Sequence, residues 1–149
     1  MVKSFTGVRI VEEKQLPKQS LVKDFMTKQL ITFNPDQTID QVVNILIYKN
    51  ISGGPVVDSS NNLVGIISEG DCLKQIIKGK YNNHPTLNGL VKDHMIKDVK
   101  TLQPNNTILE AAIAFLEQRV RRFPVLNNGK LIGQISQRDV MKAIEELNR

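Results

Sequence analysis

The sequence is poor in the residues that form cross-links, bind metals or fill a core with large rings. Its 149 residues include one cysteine, no tryptophan and 5% aromatic residues. The single thiol, Cys72, provides no disulfide framework and no cysteine metal cluster, so we expect a reducing, cytoplasmic location. His84 and His94 have no metal-ligand spacing with Cys72 or with each other. The core must therefore consist mainly of isoleucine, valine and leucine.

Long apolar runs and catalytic fingerprints are also missing. No stretch approaches the roughly 20 apolar residues that span a bilayer, and residues 1–10 lack the apolar centre of a signal peptide. The sequence contains no nucleophile elbow, phosphate-binding loop or dinucleotide fingerprint. We therefore expect no membrane contact, no metal and no enzymatic activity.

The net charge of +5 favours an anionic partner, which would be a nucleotide, a nucleic acid or an acidic protein. Simple solubility explains the same charge equally well, because the sequence has no long run of lysine or arginine. No nucleic-acid recognition motif accompanies the charge. Nucleic-acid binding is therefore the least supported interpretation of the positive charge.

The chain contains an internal repeat. Residues 21–26, Leu-Val-Lys-Asp-Phe-Met, recur 69 positions later as residues 90–95, Leu-Val-Lys-Asp-His-Met. Further matches in the same order are Thr32 with Thr101, Pro35 with Pro104, Ile67 with Ile135, and Asp71 with Asp139. The repeat predicts an N-terminal extension (1–20), a first unit (21–77), a connector (78–89) and a second unit (90–146).

Each unit is predicted to follow the order β-α-β-β-α. The first extended segment, residues 30–33, is stopped by Pro35, and the next helix begins at a capping box, Thr38 with Gln41 or Thr107 with Glu110. Apolar residues then recur at helical spacing and predict one core-facing stripe: Ile39, Val42, Val43, Leu46 and Ile47, matched by Ile108, Ala111, Ala112, Phe115 and Leu116. The second hairpin turns at Asn128-Gly129.

Neither unit is large enough to bury its strands alone. The predicted fold class is therefore α/β (α+β), with the two units packed sheet to sheet about a pseudo-two-fold axis. Such an arrangement leaves a cleft along that axis.

The strand-to-helix junctions, residues 65–71 and 133–139, carry the most informative chemistry. Each ends in Ser-x-x-Asp at a helix start, where free backbone N–H groups attract anions. The aspartate could accept hydrogen bonds from a ribose diol, and Arg138 could bind phosphate oxygens. The alternative is that Ser-x-x-Asp is only a helix cap that contributes about 1 kcal/mol.

The ordered set resembles the CBS domain, twice over, across roughly residues 20–145. The marks of the resemblance are Met26 and Met95, the Thr32 and Thr101 positions, residues 52–58 and 121–125, and the two Gly-x-x-Ser-x-x-Asp junctions. The resemblance implies an intramolecular pair, called a Bateman module, that senses AMP, ADP or ATP in the cleft between its repeats. NAD and S-adenosylmethionine are further candidate ligands.

The resemblance also implies which residues bind the ligand. In the second motif they are Thr101, Leu102, Arg122, Phe123, Ser136, Arg138 and Asp139. In the first motif they are Thr32, Phe33, Gly54, Ser68 and Asp71. Because Arg138 stands where the first motif has Gly70, the second motif is predicted to hold phosphate more tightly.

The resemblance leaves the assembly and the regulated partner open. CBS-like pairs associate through their helices, so a homodimer is expected, and a partner-binding scaffold without a ligand is the alternative function. The sequence carries no recognisable effector domain, so regulation would act on another, unidentified protein.

Overall fold

Residues 20–81 and 89–149 are described by a computed structural model. The first repeat contains α1 (Val22–Phe25), α2 (Ile39–Lys49), β1 (Gly53–Val57), β2 (Leu63–Ser68) and α3 (Glu69–Tyr81). The second contains α4 (Val91–His94), α5 (Ile108–Glu117), β3 (Arg122–Asn127), β4 (Lys130–Ser136) and α6 (Gln137–Leu147). Residues 1–19 of the predicted extension lie outside the described residues, as do residues 82–88 of the predicted connector.

The predicted mixed fold with two repeats is confirmed. β1 pairs antiparallel with β2, and β3 pairs antiparallel with β4, as two separate sheets. The first predicted strand of each repeat is shorter than expected, since it forms only an isolated parallel bridge, Phe33 to Val56 or Leu102 to Val125. Pro35 follows two residues after Phe33 and cannot donate a ladder hydrogen bond, which ends the pairing.

Both predicted capping boxes are present. The Thr38 hydroxyl accepts from the Gln41 N–H at 3.2 Å, and the Gln41 side chain accepts from the Thr38 N–H at 3.0 Å. Thr107 and Glu110 repeat this at 3.0 and 2.9 Å. The predicted apolar stripe is wrong at its C-terminal end, because Ile47 is 74% exposed. α2 buries Ile39, Val42 and Leu46 but leaves its last three residues, 47–49, on the surface.

The two short helices are exchanged between the repeats. Val22 of α1 is fully buried in the core of the second repeat, beside Ile108 and Phe123. Val91 of α4 is fully buried in the core of the first repeat. The Val22 N–H donates to the Asn106 carbonyl at 2.8 Å, and the Val91 N–H donates to the Gln37 carbonyl at 2.9 Å. Each core is therefore completed by a helix from the other repeat.

The chain that follows each exchanged helix crosses a strand of the other repeat at a glycine. Thr27 exchanges two backbone hydrogen bonds with Gln134, at 2.8 and 2.9 Å. A Cβ atom added to Gly133 would lie 2.5 Å from the Met26 sulfur, and one added to Gly65 would lie 2.5 Å from the Met95 sulfur. The glycines thus permit a close approach that larger residues would obstruct.

The two hairpins also bind each other at their tips. The predicted Asn128-Gly129 turn is confirmed, with positive φ angles of 52° and 81°, as a type I′ turn requires. The Leu131 N–H donates to the Asn61 carbonyl at 3.1 Å, and the Leu63 N–H donates to the Gly129 carbonyl at 3.3 Å. These bonds hold the turn ends of the two sheets together.

Candidate functional site

Both strand-to-helix junctions form helix caps. The Ser136 hydroxyl accepts from the Asp139 N–H at 3.1 Å, and the Asp139 Oδ2 accepts from the Ser136 N–H at 2.9 Å. In the first repeat, the Asp71 Oδ2 accepts from both the N–H and the hydroxyl of Ser68, at 2.9 and 3.0 Å. The second junction is therefore a complete capping box, whereas in the first the Ser68 hydroxyl donates to Asp71 instead of accepting from a helix N–H.

The two aspartates differ in what surrounds them. Asp71 is only 7% exposed and lies in a depression with Lys74 and His94. Asp139 is half-buried and lines a cleft between the repeats. Within the part of the chain that the structure describes, its Oδ1 atom accepts no hydrogen bond. Asp139 can therefore bind a ligand while it still caps α6.

We call the cavity that Asp139 lines, of about 500 Å³, cleft A. The second repeat contributes Arg121, Arg122, Gln134, Ser136, Gln137, Arg138 and Asp139, and the first contributes Thr27, Gln29, Leu30, Ile31, Ile51, Gly53 and Pro55. Its volume lies in the range of small-molecule sites, roughly 300–1,000 Å³.

The charge in cleft A is positive. Arg121, Arg122 and Arg138 are exposed, and Asp139 is the one carboxylate that lines the cavity among the described residues. None of these arginines takes part in the ion pairs that the structure describes, which join Lys92 with Asp36, Lys100 with Asp98, and Arg149 with Glu145. The guanidinium groups are thus available to a bound anion.

A second, smaller cavity of about 290 Å³ adjoins cleft A, and we call it cleft B. Its lining includes Ser52, Gly53, Gly54, Pro55, Ile66, Ser68, Ile96, Asp98, Val99, Lys100, Val120, Arg121, Arg122, Pro124 and Gln134. Lys100 lies 3.8 Å from Asp98. Cleft B is the more apolar of the two, because its lining includes Ile66, Ile96, Val99, Val120 and Pro124. The lysine of cleft B is already paired with a carboxylate.

The structure brings half of the predicted site residues together. Cleft A contains Arg122, Ser136, Arg138 and Asp139, whereas Gly54 and Ser68 line cleft B together with Arg122.

The other predicted residues lie elsewhere. The side chains of Phe33, Leu102 and Phe123 are 2%, 8% and 1% exposed and belong to the cores, and none of them lines cleft A or cleft B. Thr32 and Thr101 are exposed, but neither lines cleft A or cleft B.

Sequence reasoning missed the contribution of the opposite repeat. Gln29, Leu30 and Ile31 follow α1 and line cleft A beside Asp139, while Val99 and Lys100 follow α4 and line cleft B. Each predicted site consists of residues from a single motif. The repeat pattern contains no signal for the exchange, because exchanged and unexchanged pairings of two similar units have the same apolar pattern.

Cys72 belongs to the hydrophobic core of the first repeat. Its side chain is 3% exposed, and burial raises the pKa of the thiol, with the charges of Asp71 and Glu69 adding to the effect. A thiol that stays protonated is a poor nucleophile.

Residues 20–81 and 89–149 contain neither a candidate membrane-spanning helix nor a candidate metal-binding group. None of the helices there combines the length and the apolar character needed to cross a membrane. The same residues contain no group of three or more metal-ligating side chains.

The chain is similar in sequence to a known domain family and to several of its members. The family model of the CBS domain matches residues 22–78 and 91–146. The chloroplastic CBS domain-containing protein CBSX2 of Arabidopsis thaliana is 32% identical over 154 residues, which cover 86% of this chain and 65% of CBSX2. Inosine-5'-monophosphate dehydrogenase of Methanocaldococcus jannaschii is 34% identical over 135 residues, which cover 89% of this chain. The chain spans 25% of the length of this dehydrogenase and 42% of the length of another M. jannaschii relative, protein MJ1225.

Solved structures show the same architecture. The crystal structure of CBSX2 in complex with AMP has a TM-score of 0.76 at 30% identity and covers 87% of this chain and 99% of that one. The CBS domain pair of protein MJ0100, in complex with 5'-methylthioadenosine and S-adenosyl-L-methionine, has a TM-score of 0.67 at 26% identity and covers 85% and 97%. With two matching segments in register with its two repeats, the chain belongs to the CBS-domain family and carries a tandem pair of CBS domains.

Proposed function

We propose that this chain is a non-catalytic regulatory module that binds an adenosine nucleotide in cleft A and thereby modulates a partner protein. The observation that carries the proposal is the position of the Ser136–Asp139 junction. It opens into a cavity between the repeats that also holds three arginines. The N-terminus of α6, an 11-residue helix, adds free N–H groups that favour a phosphate.

Each part of a nucleotide finds suitable chemistry in cleft A. Arg138 and the Ser136 hydroxyl suit the phosphate. The Oδ1 atom of Asp139 suits the ribose hydroxyls, because it can accept their hydrogen bonds. Leu30 and Ile31 from the first repeat provide an apolar surface for the base. The second motif is therefore the proposed main site, while Leu102 and Phe123 belong to the core and the exposed Thr101 lines neither cleft.

The relatives support an adenosine-type ligand. CBSX2 was solved with AMP and MJ0100 with methylthioadenosine and S-adenosylmethionine. The shared part of these ligands is adenosine, while the arginines of cleft A favour the phosphorylated forms, AMP, ADP or ATP, over uncharged ones. NAD also carries phosphate and belongs in the same screen.

A regulatory role without catalysis fits the extent of the matches. This chain corresponds to 25% of the length of the dehydrogenase it resembles, so most of that enzyme has no counterpart here. A ligand modulates a partner only if it binds two states of the module with different affinity. A cytoplasmic location stays a prediction, and CBSX2 is a chloroplastic protein.

The proposed assembly is a homodimer formed through the helices. Leu109, Ile113 and Leu116 form an exposed apolar row on α5, with i, i+4 and i+7 spacing, and Met141 of α6 is 62% exposed. The first repeat presents a similar surface on α3, where Leu73 and Ile77 are 58% and 55% exposed. A second copy of the chain could cover both surfaces through a symmetric contact.

Thermal unfolding tests the ligand assignment. AMP, ADP, ATP, NAD and S-adenosylmethionine are each added at millimolar concentration to ligand-free protein. A ligand at 100 times its Kd adds about 2.7 kcal/mol of stability, which raises Tm by several degrees. Arg138→Ala should weaken nucleotide binding roughly tenfold or more, because it removes a charge-assisted contact.

The control is Arg119→Ala, which removes an exposed arginine outside both clefts. An unchanged nucleotide affinity in Arg138→Ala would reject cleft A as the site. If no adenosine ligand raises Tm, the partner-binding scaffold becomes the better account of the chain.

A further inference from the structure

Clefts A and B share one wall. Five residues line both cavities: Gly53, Pro55, Arg121, Arg122 and Gln134. Gly53 and Arg122 are the first residues of β1 and β3, so the shared wall is formed where the two sheets begin. Arg121 and Arg122 are the only charged side chains in this set.

The two clefts depend on these arginines to different degrees. Cleft A has an arginine of its own, Arg138, which does not line cleft B. The cation that only cleft B possesses is Lys100, and this lysine faces Asp98 at 3.8 Å. The positive charge that cleft B can offer to an anion therefore comes mainly from Arg121 and Arg122.

We infer that clefts A and B are negatively coupled binding sites for anionic ligands, with Arg121 and Arg122 as the shared cations. This inference rests on the proposed nucleotide binding. A guanidinium that binds phosphate oxygens in one cleft is drawn away from the other, so an anion in the second cleft loses a charge-assisted contact. By linkage, an anion bound in either cleft lowers the affinity of the other cleft for its anion by the same factor. We expect this factor to be roughly tenfold, within the usual range of such couplings.

The coupling depends on ligand charge. An uncharged ligand such as adenosine needs neither arginine, so its binding in one cleft should leave the other unaffected. The module would then respond differently to a charged nucleotide alone and to a mixture of charged and uncharged adenosine compounds.

The test compares the second binding step of the wild-type chain with the only binding step of a chain whose cleft A is blocked. Gln137→Trp fills cleft A from an exposed position that does not line cleft B. Gln29→Trp does the same from the other repeat and serves as an independent blocking variant. ADP and adenosine are titrated into each protein by isothermal titration calorimetry.

In the blocked variants, cleft B should bind ADP roughly tenfold more tightly than the second ADP step of the wild type. One ADP per chain in both wild type and blocked variants would mean mutually exclusive binding, and support the inference, if Arg138→Ala weakens the wild-type step but not the step of the blocked variant. If Arg138→Ala leaves both steps unchanged, the single site is cleft B and the inference is overturned. Equal affinities for the wild-type second step and the blocked variant would overturn it. Binding of one ADP to the wild type and none to the blocked variants would overturn it too, while leaving the proposed function intact.

The double variant Arg121→Gln/Arg122→Gln tests the route of the coupling. The tenfold difference should fall below about threefold in this background, whereas Arg119→Gln, outside both clefts, should leave it unchanged. A difference that persists without the shared arginines would refute their role. Absence of ADP binding to every protein would instead reject the proposed function itself.

Discussion

Single residues in this chain have the local contacts that their motif predicts, but surroundings that the motif does not predict. Ser68 and Ser136 both donate their N–H to the aspartate three residues later, but among the bonds that the structure describes only the Ser136 hydroxyl accepts from a helix N–H. Asp139 lines cleft A, whereas Asp71 is 7% exposed and lies in a separate depression that α4 of the second repeat helps to form. Duplication has therefore kept the serine–aspartate contact in both repeats, and only the second copy lines cleft A.

Glu110 gives a pH dependence with a defined sign. The Thr107 N–H donates to Glu110 and lowers the pKa of its carboxyl below the ordinary 4.5. A carboxyl with a lowered folded pKa stabilises the fold above its unfolded pKa, and this stabilisation disappears as pH falls through the folded pKa. The stability advantage of wild type over Glu110→Gln should therefore shrink as pH falls below 4.5.

Urea unfolding of both proteins between pH 7 and pH 3 measures that difference. Gln is a suitable replacement because Gln41 makes the same bond in the first repeat without a charge. A difference in unfolding free energy that stays constant over this pH range would contradict the assignment.

At the scale of elements, the crossing of each sheet by the chain of the other repeat is the most constrained feature. Gly133→Ala should lower the unfolding free energy by about 1–3 kcal/mol, because its Cβ would lie 2.5 Å from the Met26 sulfur and 3.0 Å from the Thr27 carbonyl oxygen. Chemical denaturation measures the change.

Gly70→Ala is the matched control. Gly70 lies in the first turn of α3, and an added Cβ would meet the Ser68 hydroxyl only at 3.8 Å. Alanine favours a helix over glycine by up to about 1 kcal/mol, so this variant should be as stable as wild type or more so. A Gly133→Ala protein of wild-type stability would show that the crossing is looser than the structure indicates.

Elements fixed by neighbours in sequence could be predicted, and those fixed by distant contacts could not. The capping boxes at Thr38 and Thr107 and the turn at Asn128 depend on residues within four positions, so their motifs are sufficient. The single bridge of each short first strand depends on a later strand of the same repeat, and the exchange of α1 and α4 depends on contacts between the repeats. The same holds for the site, where Arg138 was predictable and Leu30 was not.

At the scale of the whole molecule, the exposed apolar row on α5 predicts a dimer. Leu116 is 86% exposed, and Leu109 and Ile113 continue the row. Leu116→Glu should shift the chain from dimer to monomer, because it places a charge in the proposed contact, and should leave the fold intact, because the residue packs on little within its own chain. Sedimentation velocity measures the change.

Glu117→Gln, an exposed neighbour on the same helix, serves as the control and should not change the sedimentation coefficient. A wild-type chain that sediments as a monomer at all concentrations would reject the dimer.

The exchange of α1 and α4 has a consequence for how the two halves recognise each other. Each core is completed by an apolar side chain, Val22 or Val91, that the other half supplies. The connecting segment therefore acts as a tether that keeps the effective concentration of each half high for its partner half. Cut at the connector, the halves would have to find each other by diffusion, and their reassembly would become a bimolecular reaction whose extent depends on protein concentration.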